Sequence, residues 1–142
     1  MKYVIVYWSR YGNGKRVVNE LAAMFTSKGS KVVVLDAKET EPSNLPDADM
    51  YIFSAPAEKF TIPKDMRKIM KGLKGMEGKK YGIINTHGMK RNWLGKMEKL
   101  LSKNKMIKVA EIDFLMGDDT EKGEGLRDGW ENELKVFATK LR

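Results

Sequence analysis

The chain has 142 residues, a length that suits one domain with a sizeable core and is too short for two ordinary ones. It contains no cysteine, which excludes disulfides and cysteine-ligated clusters, and its single histidine, His87, excludes a multi-histidine metal site. The net charge is +8, no segment is long and apolar enough to span a membrane, and the N-terminus does not read as a signal peptide. These features predict a single cytoplasmic domain over residues 1–142.

The chain begins with a strand, a polar loop and a helix. Tyr3–Trp8 is a continuous apolar run typical of a strand buried on both faces, and Ser9–Gly14 is rich in hydroxyl, small and turn-forming residues. Apolar residues then recur at helical spacing from Val17 to Phe25, and Lys28-Gly29 ends the helix. Such a loop directs free backbone N–H groups and the positive end of a helix dipole at one point, which suits a terminal phosphate.

Strands and helices continue to alternate along the rest of the chain. Residues 37–49 read as a loop with at most one helical turn, and helices are predicted after Pro63, after Met89 and after Gly125. Alternating strands and helices predict a parallel sheet with helices on both faces. The further predicted strands are Lys31–Asp36, Met50–Ser54, Lys80–Thr86 and Lys108–Met116.

The first loop resembles the phosphate loop of flavodoxins, in which a hydrophobic strand ends in Phe/Tyr-x-Ser/Thr-x-x-Gly-x-Thr. Gly14 departs from the pattern because the family usually has Thr there. The missing hydroxyl removes one expected hydrogen bond to phosphate, which Ser9, Tyr11, Asn13 or the backbone would have to replace. Four residues fall on the pattern: Tyr7, Ser9, Gly12 and Asn13.

The resemblance covers the chain from Lys2 to Leu141 and implies both a fold and a cofactor. The fold is an α/β flavodoxin-like three-layer sandwich with a five-stranded parallel sheet in the order 2-1-3-4-5. Its ligand would lie outside the carboxyl ends of the strands, between strands 1 and 3. The cofactor is FMN, with its phosphate on the first loop and its isoalloxazine ring between the loops after strands 3 and 4.

Several residues have predicted roles around the ring. Phe60 and Trp93 are placed to stack on it, with Trp8 and Tyr11 as lesser candidates, although Trp93 also suits a core position. His87 is expected in a loop at the edge of the ring, where it could influence the reduction potential or donate a proton; the alternative is a solvent-exposed histidine without a role. The residues expected to bind FMN are Ser9, Arg10, Tyr11, Gly12, Asn13, Gly14, Ser54, Ala55, Pro56, Ala57, Glu58, Phe60, Thr86, His87, Gly88, Met89 and Trp93.

Two further features of the loops bear on the site. The loop between Ser54 and Thr61 lacks the glycine that flavodoxins commonly have there, and other residues resist positive φ. No catalytic residue is identified, because a Ser/His/Asp set is not apparent around the single histidine. The acidic residues between Asp118 and Glu124 do not have calcium-loop spacing and are interpreted as a solvated rim.

The positive charge is concentrated in the middle of the chain, where Lys64 to Lys108 contain 14 Lys and Arg residues against three acidic ones. Typical flavodoxins are acidic and dock on basic patches, so the resemblance implies the reverse here: an acidic redox partner attracted at long range. A solvated lysine face is the plainer alternative. Nucleic-acid binding is disfavoured because no known recognition motif is present. The expected docking residues are Lys64, Arg67, Lys68, Lys71, Arg91, Lys96 and Lys99.

The predicted function is therefore an FMN-binding electron-transfer protein that shuttles electrons between redox partner proteins. One alternative is an FMN-dependent reductase or dehydrogenase acting on a quinone or porphyrinogen. Arg10-Tyr11 and Trp130 favour it, because they resemble the flavodoxin-like menaquinone-dependent protoporphyrinogen dehydrogenases. Another alternative, suggested by Gly14, is a flavodoxin fold that has lost the flavin.

Overall fold

The computed structural model describes residues 1–142 and contains one five-stranded parallel sheet. The strands lie in the order β2-β1-β3-β4-β5, so the chain reverses its direction of travel across the sheet between β1 and β3. This order confirms the predicted fold class. The strands are β1 Lys2–Tyr7, β2 Lys31–Asp36, β3 Met50–Pro56, β4 Lys80–His87 and β5 Ile107–Leu115.

Four helices cover the two faces of the sheet, and each face has its own apolar cluster. Helices α1 and α4 pack on one face together with Ile5, Ile52 and Ile84, whereas α2 and α3 pack on the other with Val6 and Phe53. Side chains alternate between the faces because successive residues of a strand point in opposite directions. The helices are α1 Asn13–Ser27, α2 Lys64–Gly72, α3 Leu94–Leu101 and α4 Trp130–Thr139.

The central strands are apolar throughout because both of their faces are covered. Val4, Ile5 and Val6 of β1 are fully buried, and so are Ile52 and Phe53 of β3. Burying one such side chain stabilises the fold by about 1.5–3 kcal/mol. These strands therefore hold their carboxyl ends, and the loops that follow them, in fixed positions.

The structure differs from the sequence-based expectation at several places, among them the end of β3, which continues through Ala55 and Pro56. Residues 37–49 contain two short 3-10 turns, Ala37–Glu39 and Pro42–Asn44, where at most one turn was expected. Strand β4 continues through His87, because its last residue pairs with Leu115 of β5. Finally, α4 does not begin until Trp130, after a left-handed Gly129. None of the helices has the length and apolar character that crossing a membrane requires.

Candidate functional site

A cavity of about 510 Å³ opens at the carboxyl end of the sheet, where the loops after β1, β3 and β4 converge. Its size lies within the range of small-molecule sites. Its position matches the expected switch point between β1 and β3, where open α/β sheets bind their ligands. The lining residues are Trp8, Ser9, Arg10, Tyr11, Asn13, Gly14, Pro56, Ala57, Glu58, Lys59, Thr86, His87, Gly88, Met116 and Thr120.

Most of the residues expected from the sequence line this cavity, but some do not. Ser54 and Ala55 are buried inside β3, Phe60 and Met89 are exposed, and Trp93 packs at the edge of a core cluster. Gly12 contributes its backbone conformation rather than a lining atom. Four lining residues were not among the expected set: Trp8, Lys59, Met116 and Thr120.

The loop after β1 presents backbone donors to the cavity. Gly12 adopts φ 100° immediately before α1, and its N–H donates to the Ser9 Oγ at 3.1 Å. The first helical N–H with a backbone acceptor is that of Arg16, which bonds to the Gly12 carbonyl at 2.9 Å. The N–H groups of Asn13, Gly14 and Lys15 therefore have no acceptor in the chain, and Asn13 and Gly14 line the cavity, where free N–H groups suit an anion.

The side chain of Asn13 connects this loop to the segment after β5. Asn13 is buried, and its amide nitrogen donates to the Thr120 carbonyl at 2.9 Å. Its amide oxygen accepts the Gly125 N–H, also at 2.9 Å. These contacts bring Thr120 to the cavity wall, and they occupy the amide that could otherwise have replaced the missing Thr hydroxyl.

The loop after β3 closes in a two-residue turn between Glu58 and Thr61, which exchange backbone hydrogen bonds of 2.8 Å. Lys59 and Phe60 at its tip adopt φ of 49° and 63°, so the turn has the left-handed conformation even without glycine. The expectation that non-glycine residues would avoid positive φ here is wrong. The carboxylate of Glu58 accepts two hydrogen bonds from Arg10, at 2.5 and 2.8 Å, which also raise the pKa of the guanidinium.

The aromatic residues divide between the cavity wall and its surroundings. Trp8 lines the cavity, is 7% exposed, and has the Lys38 ammonium 4.7 Å from its ring centroid. Trp93 lies outside the lining, with the Arg91 guanidinium 4.7 Å from its ring. Phe60 is 73% exposed on the turn after β3. The buried indole of Trp8 therefore belongs to the cavity wall, whereas the exposed ring of Phe60 lies outside the lining.

His87 forms part of the cavity wall at the end of β4. It is 3% exposed, which contradicts the alternative of a solvent-exposed loop histidine. Its Nε2 lies 2.6 Å from the Asp113 Oδ2, and its Nδ1 lies 2.5 Å from the Met89 carbonyl oxygen. Asp113 could not be identified from the sequence, because His87 is 26 residues away from it and the two meet only through the pairing of β4 with β5.

Met116 and Thr120 could not be found from the sequence either. Met116 reaches the cavity because its N–H donates to the His87 carbonyl at 2.7 Å, and Thr120 reaches it through Asn13. Both contacts join segments that are distant in sequence. By contrast, Lys59 falls within a loop that the sequence did single out, and Trp8 was a lesser stacking candidate.

This fold and cavity define a class: open parallel α/β proteins that bind a phosphate-bearing ligand at the switch point of the sheet. The sequence model of the flavodoxin family matches residues 5–131. The chain therefore belongs to the flavodoxin family, whose members bind FMN and transfer electrons. No curated protein matches the chain.

Several solved structures share the fold. The flavodoxin of Streptococcus pneumonia TIGR4 is 18% identical, with a TM-score of 0.80, and the match covers 99% of this chain and 97% of that one. Two-electron reduced Megasphaera elsdenii flavodoxin is 20% identical, with a TM-score of 0.75 and coverages of 97% and 98%. Rubredoxin oxygen:oxidoreductase from Desulfovibrio gigas is 19% identical, with a TM-score of 0.75; the match covers 99% of this chain but 35% of that one.

The cavity residues fit FMN. The unpaired N–H groups of Asn13, Gly14 and Lys15 suit its phosphate, and Gly14 leaves room beside the Ser9 hydroxyl, which would lie 3.7 Å from a Cβ at position 14. Glu58 is the carboxylate that lines the cavity, and its ion pair with Arg10 limits its repulsion of that phosphate. The volume and the mixed polar and aromatic lining suit a flavin ring.

Proposed function

We propose that this protein binds one FMN non-covalently in the cavity and carries electrons between redox partner proteins. The observation that carries the proposal is that one cavity brings together the unpaired backbone N–H groups of Asn13 and Gly14 and the loops after β3 and β4. The proposed compartment is the cytoplasm; a chain without cysteine forms no disulfide and needs no oxidising environment.

The proposed site assigns separate tasks to the two ends of the cavity. The loop from Ser9 to Gly14 binds the phosphate through backbone N–H groups and the positive end of the α1 dipole. The segments Pro56–Lys59 and Thr86–Gly88 enclose the ring, and the Arg10–Glu58 ion pair ties the first of them to the phosphate loop. Bound FMN supplies the capacity to accept and release electrons, while the protein orients it and limits its contact with water.

Exposed apolar side chains flank the cavity and support electron transfer to another protein. Tyr11, Phe60 and Met89 are 45%, 73% and 64% exposed, and all three belong to loops at this end of the sheet. Large exposed apolar side chains grouped at one place favour a contact with a partner. A partner bound there would cover the cavity entrance and come close to the ring.

We define the α2–α3 basic surface as the exposed basic residues on and next to these two helices. None of them has a carboxylate within ion-pair distance, so their charge is available to a partner. Arg67 is set apart from them, because it is half-buried and its Nε donates to the Ile62 carbonyl at 2.9 Å. The members are Lys64, Lys68, Lys71, Arg91, Lys96 and Lys99.

These unpaired cations favour a partner with an acidic docking surface. Opposite charges accelerate association by steering the two proteins together before they touch. The likeness to the Desulfovibrio gigas protein adds support, because that protein is named a rubredoxin oxygen:oxidoreductase and includes a region of this fold within a longer chain.

The test begins with the visible absorption spectrum of the purified protein, before and after titration with FMN. Flavin bands and quenched FMN fluorescence at one equivalent are expected. The loaded, reduced protein is then mixed separately with an acidic redox protein, such as a rubredoxin, and with a quinone. We expect the acidic redox protein to oxidise the reduced flavoprotein rapidly. If instead only the quinone is turned over in the steady state, the protein is a reductase. A failure to bind FMN would contradict both the electron-carrier function and the reductase function.

A further inference from the structure

Arg10 is the only charged residue of the loop Ser9–Gly14, and its side chain reaches the loop after β3. Its Nε and Nη2 donate to the two carboxylate oxygens of Glu58, at 2.5 and 2.8 Å. Both residues line the cavity, and their side chains are 49% and 20% exposed. The one cation of the proposed phosphate loop is therefore already paired with a carboxylate.

Two contacts hold the guanidinium of Arg10 in this position. An arginine and a carboxylate that share two parallel hydrogen bonds form a strong and directional pair. The guanidinium carbon also lies 5.2 Å from the centroid of the Trp8 ring, within the range of a favourable contact between a cation and an aromatic ring. Since Trp8 is buried and lines the cavity, Arg10 is held against a buried part of the wall.

A phosphate group in the cavity would compete with Glu58 for this guanidinium. Arginine binds phosphates as it binds carboxylates, through two parallel hydrogen bonds. Arg10 belongs to the same loop as Asn13 and Gly14, whose free backbone N–H groups lie at the cavity. The charge balance of the Arg10–Glu58 pair therefore contributes to the binding of FMN. Riboflavin, which is FMN without the phosphate, should respond little to that balance.

The other charged groups beside the phosphate loop stay the same when either partner of the pair is replaced. Lys59 lines the cavity at the exposed tip of its turn, and Lys15 is exposed in the first turn of α1. The Lys38 ammonium lies 4.7 Å from the centroid of the Trp8 ring. None of these three lysines forms an ion pair. Glu58 is the only carboxylate in the lining, so it alone can withhold a cation from a phosphate there.

We propose that Glu58 is a specificity-determining residue, which holds Arg10 away from the phosphate and thereby limits how strongly the cavity prefers FMN to riboflavin. The phosphate is then bound by backbone N–H groups and by the positive end of the α1 dipole rather than by a side-chain cation. Specificity is a difference between two affinities, and the pair acts on only one of them. This inference rests on the proposed function, because it takes the cavity to be a flavin site.

The test is the ratio of the dissociation constants of riboflavin and FMN, measured at low salt by flavin fluorescence. Glu58→Gln frees Arg10 and should raise this ratio roughly fivefold. Arg10→Gln leaves the carboxylate unpaired and should lower the ratio roughly fivefold, because the carboxylate repels the phosphate. Arg10→Gln/Glu58→Gln again has no net charge at the pair, and its ratio should lie within about twofold of that of the wild type.

The ion pair between Lys79 and Asp47 supplies the matched controls. It lies at the amino end of the sheet, shortly before β4 and β3, and joins one cation to one carboxylate at 2.7 Å. Neither residue lines the cavity. Asp47→Asn and Lys79→Gln change the net charge of the molecule as Glu58→Gln and Arg10→Gln do, and they should leave the ratio unchanged.

A purely structural role of the pair predicts a different pattern. If the pair only tied the two loops together, the loss of either partner would weaken the binding of both flavins. The ratio would then not move in opposite directions in the two single variants. An unchanged or lower ratio in Glu58→Gln would overturn the proposal, and this variant decides alone if Arg10→Gln fails to fold.

Inorganic phosphate separates this inference from the proposed function. Its binding to the FMN-free protein can be followed through the amide ¹H–¹⁵N signals of Asn13 and Gly14. We expect the tightest binding in Glu58→Gln and the weakest in Arg10→Gln. If neither flavin binds, the proposed function fails, and the order of the phosphate affinities decides whether Glu58 withholds Arg10. If both flavins bind with the same ratio in every variant, the proposed function stands and this inference fails.

Discussion

A hydroxyl on a side chain at position 14 would change how tightly the cavity holds a phosphate. Gly14 has ordinary φ, and a Cβ there would lie 3.7 Å from the Ser9 Oγ and 3.8 Å from the Trp8 carbonyl oxygen, so a side chain fits. A hydroxyl hydrogen bond to a charged group contributes about 1.5 kcal/mol or more. Gly14→Thr should therefore lower the FMN dissociation constant roughly tenfold, as measured by fluorescence titration.

Gly14→Ala is the control for that variant, because it makes the same change in backbone freedom without the hydroxyl. We expect Gly14→Ala to bind FMN about as tightly as the wild type does. Equal affinities of the Thr and Ala variants would mean that the phosphate does not approach position 14. They would thereby contradict the proposed orientation of the cofactor.

Phe60 occupies a left-handed backbone conformation that glycine adopts more easily. Its φ is 63°, and its side chain is 73% exposed, so replacing it loses little packing. The left-handed region costs an ordinary residue about 1–2 kcal/mol, and glycine loses about 0.5–1 kcal/mol to chain entropy. Phe60→Gly should therefore raise the free energy of unfolding by roughly 0.5 kcal/mol, as measured by urea denaturation of the FMN-free protein.

Phe60→Ala separates the backbone effect from the loss of the ring. Alanine keeps the cost of positive φ, so this variant should not gain stability. Were Phe60→Gly less stable than Phe60→Ala, the turn between Glu58 and Thr61 would not be left-handed in solution.

At the scale of elements, Asn13 joins helix α1 to the segment after β5. Its side chain is 5% exposed and makes two hydrogen bonds to that segment, with Thr120 and Gly125. Asn13→Ala would leave a buried carbonyl and a buried N–H without partners. We expect a loss of about 2 kcal/mol in the free energy of unfolding, together with weaker FMN binding, because Thr120 would leave the cavity wall.

Asn19→Ala on the same helix is the matched control, since Asn19 is exposed and has no side-chain hydrogen bond to another segment. It should change the stability by less than about 0.5 kcal/mol. Similar losses in the two variants would show that Asn13 acts through helix propensity rather than through the segment after β5. Thermal unfolding and FMN titration measure the two effects separately.

At the scale of the whole molecule, the sheet order and the position of the cavity were predictable from the sequence. The buried strands are continuous apolar runs, and alternation with helices leaves few possible arrangements. The end of β4 was not predictable, because His87 joins the strand by pairing with Leu115. Met116 and Thr120 in the cavity wall, and Asp113 beside His87, likewise reach their places through contacts between distant segments.

The location of the positive charge on the molecule should govern the rate of electron transfer to an acidic partner. Lys68→Glu/Lys71→Glu reverses two charges on the α2–α3 basic surface. Lys28→Glu/Lys135→Glu reverses two exposed charges on the opposite side, one directly after α1 and one in α4. Both pairs lower the net charge from +8 by the same amount. At low salt, the first pair should slow electron transfer to an acidic protein by roughly tenfold or more, as measured by stopped-flow absorbance, because it weakens the attraction that guides encounter.

The opposite-side pair should slow that transfer much less, because only the location of the charges differs between the two variants. Salt distinguishes long-range electrostatic attraction from effects within the docked complex. Exposed charges are largely screened beyond about 8 Å at physiological ionic strength and beyond about 3 Å at 1 M. At 1 M salt the rates of wild type and both variants should therefore converge. Equal slowing by the two pairs at low salt would mean that net charge alone attracts the partner, and the α2–α3 basic surface would then not be the docking site.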